Sequence, residues 1–377
     1  MANNRAAIDT AALAWLQGTA GYNPAPQNLI RNSGFRFAQR QAPATVTTYS
    51  STAGRAICAD GWGVSNENAS ATYARGPLAA GGEPVPRSEW YGAFKKITST
   101  GKLLASQALE GLDAKTLRSR VVRLQFRAAA FSGSPVLAFS LVQLASAGTE
   151  DTIPATFVSA WGANTVEPTL GTNLAYIAPI ATNLDNCTVD SNHAEATLSS
   201  AAWARFGATF TVPTDCKNLI AVFWGDSQFA DATGFAISDA ILMEGAEIRQ
   251  WSPLSYGAEL ARVQRYYCKT FNVDSKPGTT TTAPLYIAQP VAASTAFTGR
   301  YWSWEFPVTM RAAPTLALIN PVTASSAQVY NTTSAADCTS SGISANGEKR
   351  CYINATTPGG SAVGDALSVH VTADAEL

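Results

Sequence analysis

The sequence predicts an all-β protein in which a short N-terminal helical segment precedes two folded units of short strands. Three observations carry this. Short runs of alternating polarity recur from Asn28 onward, and Gly, Pro, Asn, Asp and Ser clusters separate them at the roughly 8–12-residue spacing of sandwiches and barrels. Helical repeats and heptads are absent. The 377 residues exceed the roughly 100–200 of one ordinary domain. With 46% hydrophobic residues, including nine Trp, twelve Tyr and fifteen Phe, the chain can fill real cores.

Residues 1–27 differ from the rest. Asp9 can cap a short helix on which Ile8, Ala12, Trp15 and Leu16 fall roughly on one side, with Leu13 adjacent. Gly18 and Gly21 end it, and Pro24 and Pro26 follow. So short a helix is unstable alone, so its stripe is expected to bury against the main body or another chain. Between Arg120 and Ala128, Val122, Leu124, Phe126 and Ala128 point one way and Arg123, Gln125 and Arg127 the other, the mark of a half-buried strand. A turn at Ser132–Pro135 leads to a return strand over Val136–Leu144. The apolar run Leu219–Trp224 reads as a central strand buried on both faces. Phe235–Met243 is another strand, while Gly162–Thr172 and Ala181–His193 read as polar loops.

One helical turn is expected at Asp113–Leu117. Ala258–Tyr267 has helical character, but Arg262–Phe271 is rich in aromatics and reads as a strand. After a loop over Asp274–Pro284, strands follow at Tyr301–Val308, Thr315–Ile319, Ala327–Asn331, Arg350–Asn354 and Leu367–Thr372. The expected division is 1–27, 28–255 and 256–377.

Composition excludes several functions. Charged residues are 14% and the net charge is −1, so nothing attracts polyphosphate or an anionic membrane. No run approaches the roughly 20 apolar residues that span a bilayer, and Arg5 and Asp9 interrupt the N-terminus, so synthesis in a cytoplasm without a secretory signal is expected. Six cysteines without CxxC spacing and two histidines, His193 and His370, argue against a zinc site. Cys338 and Cys351 flank a Ser/Gly/Asn-rich turn and could bridge across a hairpin, or all six could stay reduced thiols.

Enzymatic parts are scarce. The Gly-x-Ser-x-Gly elbow, the Walker loop and the dinucleotide fingerprint are missing. Glu195, Asp226, Asp231 and Asp239 are candidates for a glycosidase pair that would meet only in space, but no catalytic residue is assigned and the chain is expected not to be an enzyme. Sugar binding is the better hypothesis. Aromatic rings stack on the apolar faces of pyranoses, and Trp90, Tyr91 and Trp161 lie beside turn residues.

The stretch NLIRNSGF, Asn28 to Phe35, resembles the opening strand of carbohydrate-binding-module jelly rolls, and ADGW, Ala59 to Trp62, resembles a following segment in phage tail proteins. Lys102–Phe131 is similar to the next block of that family. SDAILMEG, Ser238 to Gly245, with Trp251-Ser-Pro after it, is similar to the closing strand, although Leu242-Met243-Glu244 replaces Q-L-E and Ile248–Trp251 replaces A-T-x-F. ELARVQRYY, Glu259 to Tyr267, looks like the E-L-x-x-C-Q-R-Y-Y stretch of phage tail-fibre and virion proteins, with Val263 where Cys is common. FPVTMRAAPT, Phe306 to Thr315, resembles a strand pair in their C-terminal domains. Order and spacing give the combination its weight.

The resemblance implies a jelly-roll sandwich followed by a smaller β-sandwich, and a structural virion protein of a tailed phage: a tail fibre, spike, head fibre or decoration exposed on the particle, contacting host glycans. A homotrimer is implied, attached to other phage proteins through Ile8, Leu13, Trp15 and Leu16, and burying the face around Tyr266, Tyr267, Trp302 and Trp304. The alternative is a glycan-binding module or glycan-degrading enzyme of a phage tail. No cofactor is expected, save a structural calcium, for which Asn32 and Asp239 stand where family ligands would come from.

Overall fold

The computed structural model describes residues 27–42, 45–50, 54–68, 70–78, 87–282, 286–288, 300–358 and 364–377. The expected N-terminal helix, with Ile8, Leu13, Trp15 and Leu16, lies outside the described residues.

Two antiparallel sheets pack face to face. The first runs Thr47–Tyr49, Ser70–Pro77, Trp90–Thr98, Gly234–Glu244, Val121–Ala130, Ala204–Thr211, Pro179–Asp185. The second runs Thr188–Asp190, His193–Thr197, Val136–Leu144, Asn218–Gly225, Leu103–Ala108, Trp62–Asn66, Ala56–Ala59, with Leu174–Ile177 also paired to Val136–Leu144. From Trp90–Thr98 on, the long strands alternate between the sheets along the chain, the jelly-roll pattern.

Inward side chains follow the alternation. Val122, Leu124, Phe126 and Ala128 enter the core with Phe94, Phe139, Phe223 and Phe235. Phe126 meets Phe139 and Phe223 edge-on at 4.8 and 4.9 Å, geometries that favour the ring quadrupoles. The central strand is buried on both faces, as its continuous apolar run predicts. Leu219, Ala221 and Phe223 face the inter-sheet core. Ile220, Val222 and Trp224 face a second core, closed from outside by Phe157, Val158, Trp161 and Tyr176.

Val158–Ala160 pairs with Thr169–Leu170 apart from both sheets, and the C-terminal strands gather on Leu367–Asp374, which pairs with Tyr267–Lys269, Tyr286–Ala288, Thr315–Ile319 and Tyr330–Asn331. A three-stranded sheet of Arg300–Glu305, Arg350–Thr356 and Ser340–Asn346 accompanies them. Trp304, Met310, Ile353, Val369 and Val371 form the local core.

Several expectations are corrected. Tyr256–Gln264 is a helix, and only Tyr267–Lys269 of the expected Arg262–Phe271 strand is extended. Ser255 caps the helix by accepting from the Ala258 amide at 3.4 Å. Ala181–His193, read as a loop, belongs to strands Pro179–Asp185 and Thr188–Asp190 and opens a hairpin with His193–Thr197. Tyr266 and Tyr267 are 4% and 5% exposed, so they form no face for another chain. Instead Arg31 lies over the Tyr266 ring at 3.5 Å and Arg40 over the Tyr267 ring at 3.8 Å, cation–π contacts inside the chain. Trp304 is buried and Trp302 half-buried in the C-terminal core.

Cys338 and Cys351 are both free. The hairpin register explains it: Ser340 pairs with Thr356 and Asn346 with Cys351. Cys338 therefore lies beyond the open end of the ladder, and Cys351 sits beside the turn.

Candidate functional site

The residues that build a cleft on the first sheet's side come from five segments, one of them the helix Tyr256–Gln264 with Glu259 and Arg262. The opening segment supplies Asn32, Ser33, Gly34 and Arg36. The entry to the Trp90–Thr98 strand supplies Arg87 to Trp90. The Gly234–Glu244 strand supplies Ile241 and Met243, and the segment after it supplies Arg249 to Leu254. The cleft holds about 590 Å³, within the roughly 300–1,000 Å³ of small-ligand sites.

Its walls are fixed by specific contacts. A Cβ on Gly34 would lie 2.7 Å from the Ser88 Cβ and 2.9 Å from the Trp251 ring, so glycine there lets the indole rest against the backbone. The ring is pinned by its Nε1, which donates to the Ser33 hydroxyl at 2.9 Å. The strand is bulged between Ser238 and Ile241, with Asp239 at φ 50°. This aims the Asp239 carboxylate at the Arg87 and Ser88 amides, which donate at 2.6 and 3.0 Å. Burial nevertheless pushes the Asp239 carboxyl up from its ordinary value, against those donors and the Arg127 charge. Ser88 and Ser238 donate to the Trp90 carbonyl at 2.6 and 2.8 Å, and Arg75 lies 4.2 Å over the Trp90 ring.

The charge balance is positive. Arg262 lies 3.8 Å from Glu259, which also accepts from the Asn32 amide. That leaves three arginines, Arg36, Arg87 and Arg249, and one carboxylate, Glu89, in the lining. A second hollow of about 350 Å³ adjoins the first through Arg87, Arg249, Gln250 and Trp251, and adds Arg127, Arg205 and Asp239. In the orientation that satisfies its neighbours, the Gln250 carboxamide oxygen accepts from Arg87 Nε at 3.0 Å. Indole faces beside guanidinium, carboxamide and carboxylate groups suit a pyranose, whose C–H face stacks on a ring and whose vicinal hydroxyls meet planar polar groups.

Of the sugar-contact residues read from sequence, Trp90 lines the cleft. Tyr91 points to the outer face of the same sheet, over Gly76 and edge-on to Trp203 at 5.6 Å. Trp161 packs against the second core. The structure thus separates the three. Sequence reading missed Trp251 and Arg87. The available signal was an aromatic in the otherwise polar run Arg249–Ser252. Asn32 and Asp239 are engaged separately: Asn32 Oδ1 accepts from the Phe37 amide at 2.9 Å, and Asp239 faces amide donors and Arg127 at 3.7 Å. Donors and positive charge around Asp239 are the reverse of the oxygen cage calcium needs.

No protein-family model and no curated protein matches the chain. Solved structures do. The enzymatically active domain of tailspike protein 4 from bacteriophage CBA120 aligns at 12% identity and TM-score 0.32, over 58% of this chain and 21% of that one. The CBM22-1 xylan-binding domain from Paenibacillus barcinonensis aligns at 9% identity and TM-score 0.29, over 54% of this chain and 96% of that domain. The CBM22-1–GH10 modules of endo-1,4-β-D-xylanase 10B from Clostridium thermocellum align at 10% identity and TM-score 0.29, over 56% and 30%. The chain therefore spans about a fifth of the tailspike domain. Against the expectation that the chain is not an enzyme, the matches include an enzymatically active domain, a xylanase and an α-L-arabinofuranosidase. Among the described residues, no helix is long and apolar enough to cross a membrane.

Proposed function

We propose that the chain is an outward-facing appendage protein of a tailed-phage particle that grips an acidic glycan of the host surface through the cleft between Trp90 and Trp251. The observation that carries the binding half is the set of three guanidinium groups, Arg36, Arg87 and Arg249, beside two indole rings. Carboxylate-bearing sugars match that charge, since guanidinium pairs with carboxylate through two parallel hydrogen bonds.

The virion half rests on the resemblance of Glu259–Tyr267 and Phe306–Thr315 to phage appendage proteins. These stretches meet in the fold: the Arg311 amide donates to the Arg265 carbonyl at 2.9 Å, and Cys268, just after the first stretch, touches Met310 at 3.6 Å. Residues 1–27 are assigned to attachment and the assembly to a homotrimer. Because Tyr266 and Tyr267 are used within the chain, the trimer contacts are assigned elsewhere.

Calorimetric titration with uronic-acid oligosaccharides tests the site. Arg87→Ala and Trp251→Ala are expected to weaken binding at least tenfold, with the melting temperature of Arg87→Ala unchanged because Arg87 is exposed. Equal affinity in both variants would remove the cleft from the reading. Light scattering at other than three times the chain mass would remove the trimer.

A further inference from the structure

We propose that Asp190, His193 and Glu195 form a binding site for a borderline divalent cation, for which zinc suits the donor set best. The hairpin creates the site. Asp190 and His193 pair directly across its two-residue turn, and residues two apart along a strand share a face. Asp190, His193 and Glu195 therefore project from one side. Their ligand atoms lie within 4.8 Å of one another. His193 Nε2 is 3.5 Å from Glu195 Oε1 and 4.0 Å from Asp190 Oδ2. Ligands around a tetrahedral zinc are about 3.4 Å apart, given bonds of about 2.0–2.1 Å, so small side-chain rotations close the shell.

The imidazole supplies the second observation. Its side chain is 2% exposed, yet Nε2 has no hydrogen-bond partner. A buried, unpartnered ring nitrogen aimed at two carboxylates is a costly arrangement without a ligand. The other nitrogen is oriented: Nδ1 lies 3.2 Å from Glu167 Oε2. Asn192 steadies Glu167 by donating to its Oε1 at 2.9 Å, and Trp224 packs 5.1 Å from the ring. With Nδ1–H donating to Glu167, Nε2 presents its lone pair, the carboxylate–histidine–metal arrangement that fixes a ligand's tautomer. One nitrogen and two carboxylate oxygens suit zinc better than calcium or magnesium, which take oxygen donors. Asp190 is half exposed, which leaves an entry route and a fourth position for water.

Chelator-treated full-length chain titrated with zinc chloride near pH 7 tests this. One zinc per chain is expected, with Kd tighter than about 10 µM. An Asp190→Asn, Glu195→Gln double variant should bind at least a hundredfold more weakly at an unchanged metal-free melting temperature. The cobalt-loaded chain should show visible ligand-field bands without the near-ultraviolet thiolate band of a cysteine site. Absence of saturable binding, wild-type affinity in the double variant, or a thiolate band would each overturn the proposal.

Discussion

Arg265 holds Glu110 through two parallel hydrogen bonds, Nε to Oε1 at 3.0 Å and Nη2 to Oε2 at 2.9 Å. The Tyr266 hydroxyl donates to the same Oε1 at 2.6 Å. Glu110 precedes the short helix Gly111–Thr116 of the sandwich, while Arg265 and Tyr266 follow the helix Tyr256–Gln264 that leads into the C-terminal strands. One carboxylate therefore fastens the two parts. Arg40 reinforces the joint through Asp374 at 2.8 Å, and Arg31 through Glu376 at 3.5 Å.

Replacing Glu110 by Ala should loosen this joint. The carboxylate is mostly buried, whereas the Arg265 side chain is 42% exposed and can turn to water. The loss is therefore set by the forfeited charge-assisted bonds and the stranded Tyr266 hydroxyl, about 1–3 kcal/mol. Urea unfolding of Glu110→Ala, Arg265→Ala and the double variant measures it. A double-variant loss equal to the sum of the single losses would show that the two residues do not act together.

The same carboxylate makes docking sensitive to acid. Burial raises the Glu110 carboxyl, but hydrogen bonds from Arg265 and Tyr266, with the Arg265 and Arg31 charges, together outweigh it and hold the group below its ordinary value. A carboxyl depressed on folding stabilises the fold above its unfolded value, near about 4.3, and that stabilisation disappears as pH falls through the folded value. Asp60 has the opposite sign, because burial pushes its carboxyl up to about 6, so the wild-type curve alone mixes the two. The stability gap between wild type and Glu110→Gln isolates Glu110. It should be constant from pH 7 to about 5 and shrink below about 4. A gap unchanged at pH 3 would contradict the depressed carboxyl.

The sequence made the strands with strong chemistry legible. Leu219–Trp224 could be read because apolar cover on both faces leaves no polar position, and Val121–Ala130 because only its core face is apolar; its other face is buried too, with Arg123 and Gln125 donating to the Ala246 and Arg249 carbonyls, which the alternation alone does not announce. The hairpin at 188–197 was hidden because its side chains are short or polar and face solvent along much of its length. Its metal-ligand pattern was hidden with it, since Asp190 and Glu195 share a face with His193 only once the turn is known. Tyr266 and Tyr267 misled in another way. Exposed aromatics suggest association, but two arginines from the distant opening segment cover both rings, and no local pattern announces them.

Gly34 should be intolerant of even a methyl group. The added Cβ would press on the Ser88 Cβ and the Trp251 ring, and overpacking of this kind costs about 1–3 kcal/mol. The indole is the softer neighbour, so it should move, breaking its bond to Ser33. Gly34→Ala is therefore expected to lower the melting temperature by a few degrees and to shift tryptophan emission to the red. An unchanged spectrum and unchanged melting would mean that the cleft wall is looser than these distances indicate.

The cysteines give a count that can be checked directly. All six are free, and five are buried, with Cys187 half-buried. Burial pushes the Cys58 and Cys216 thiols up to about 12 and the Cys338 and Cys351 thiols up to about 11. Thiolate, the reactive form, is therefore scarce in the fold at neutral pH. Titration with a thiol reagent should find six groups in denaturant without reductant, and slow reaction at Cys187 alone in the native chain. Four groups in denaturant would reveal a bridge. Its location by peptide mapping at Cys338 and Cys351 would require the hairpin register to slip, because Cys351 now lies beside the turn and Cys338 beyond the ladder's open end.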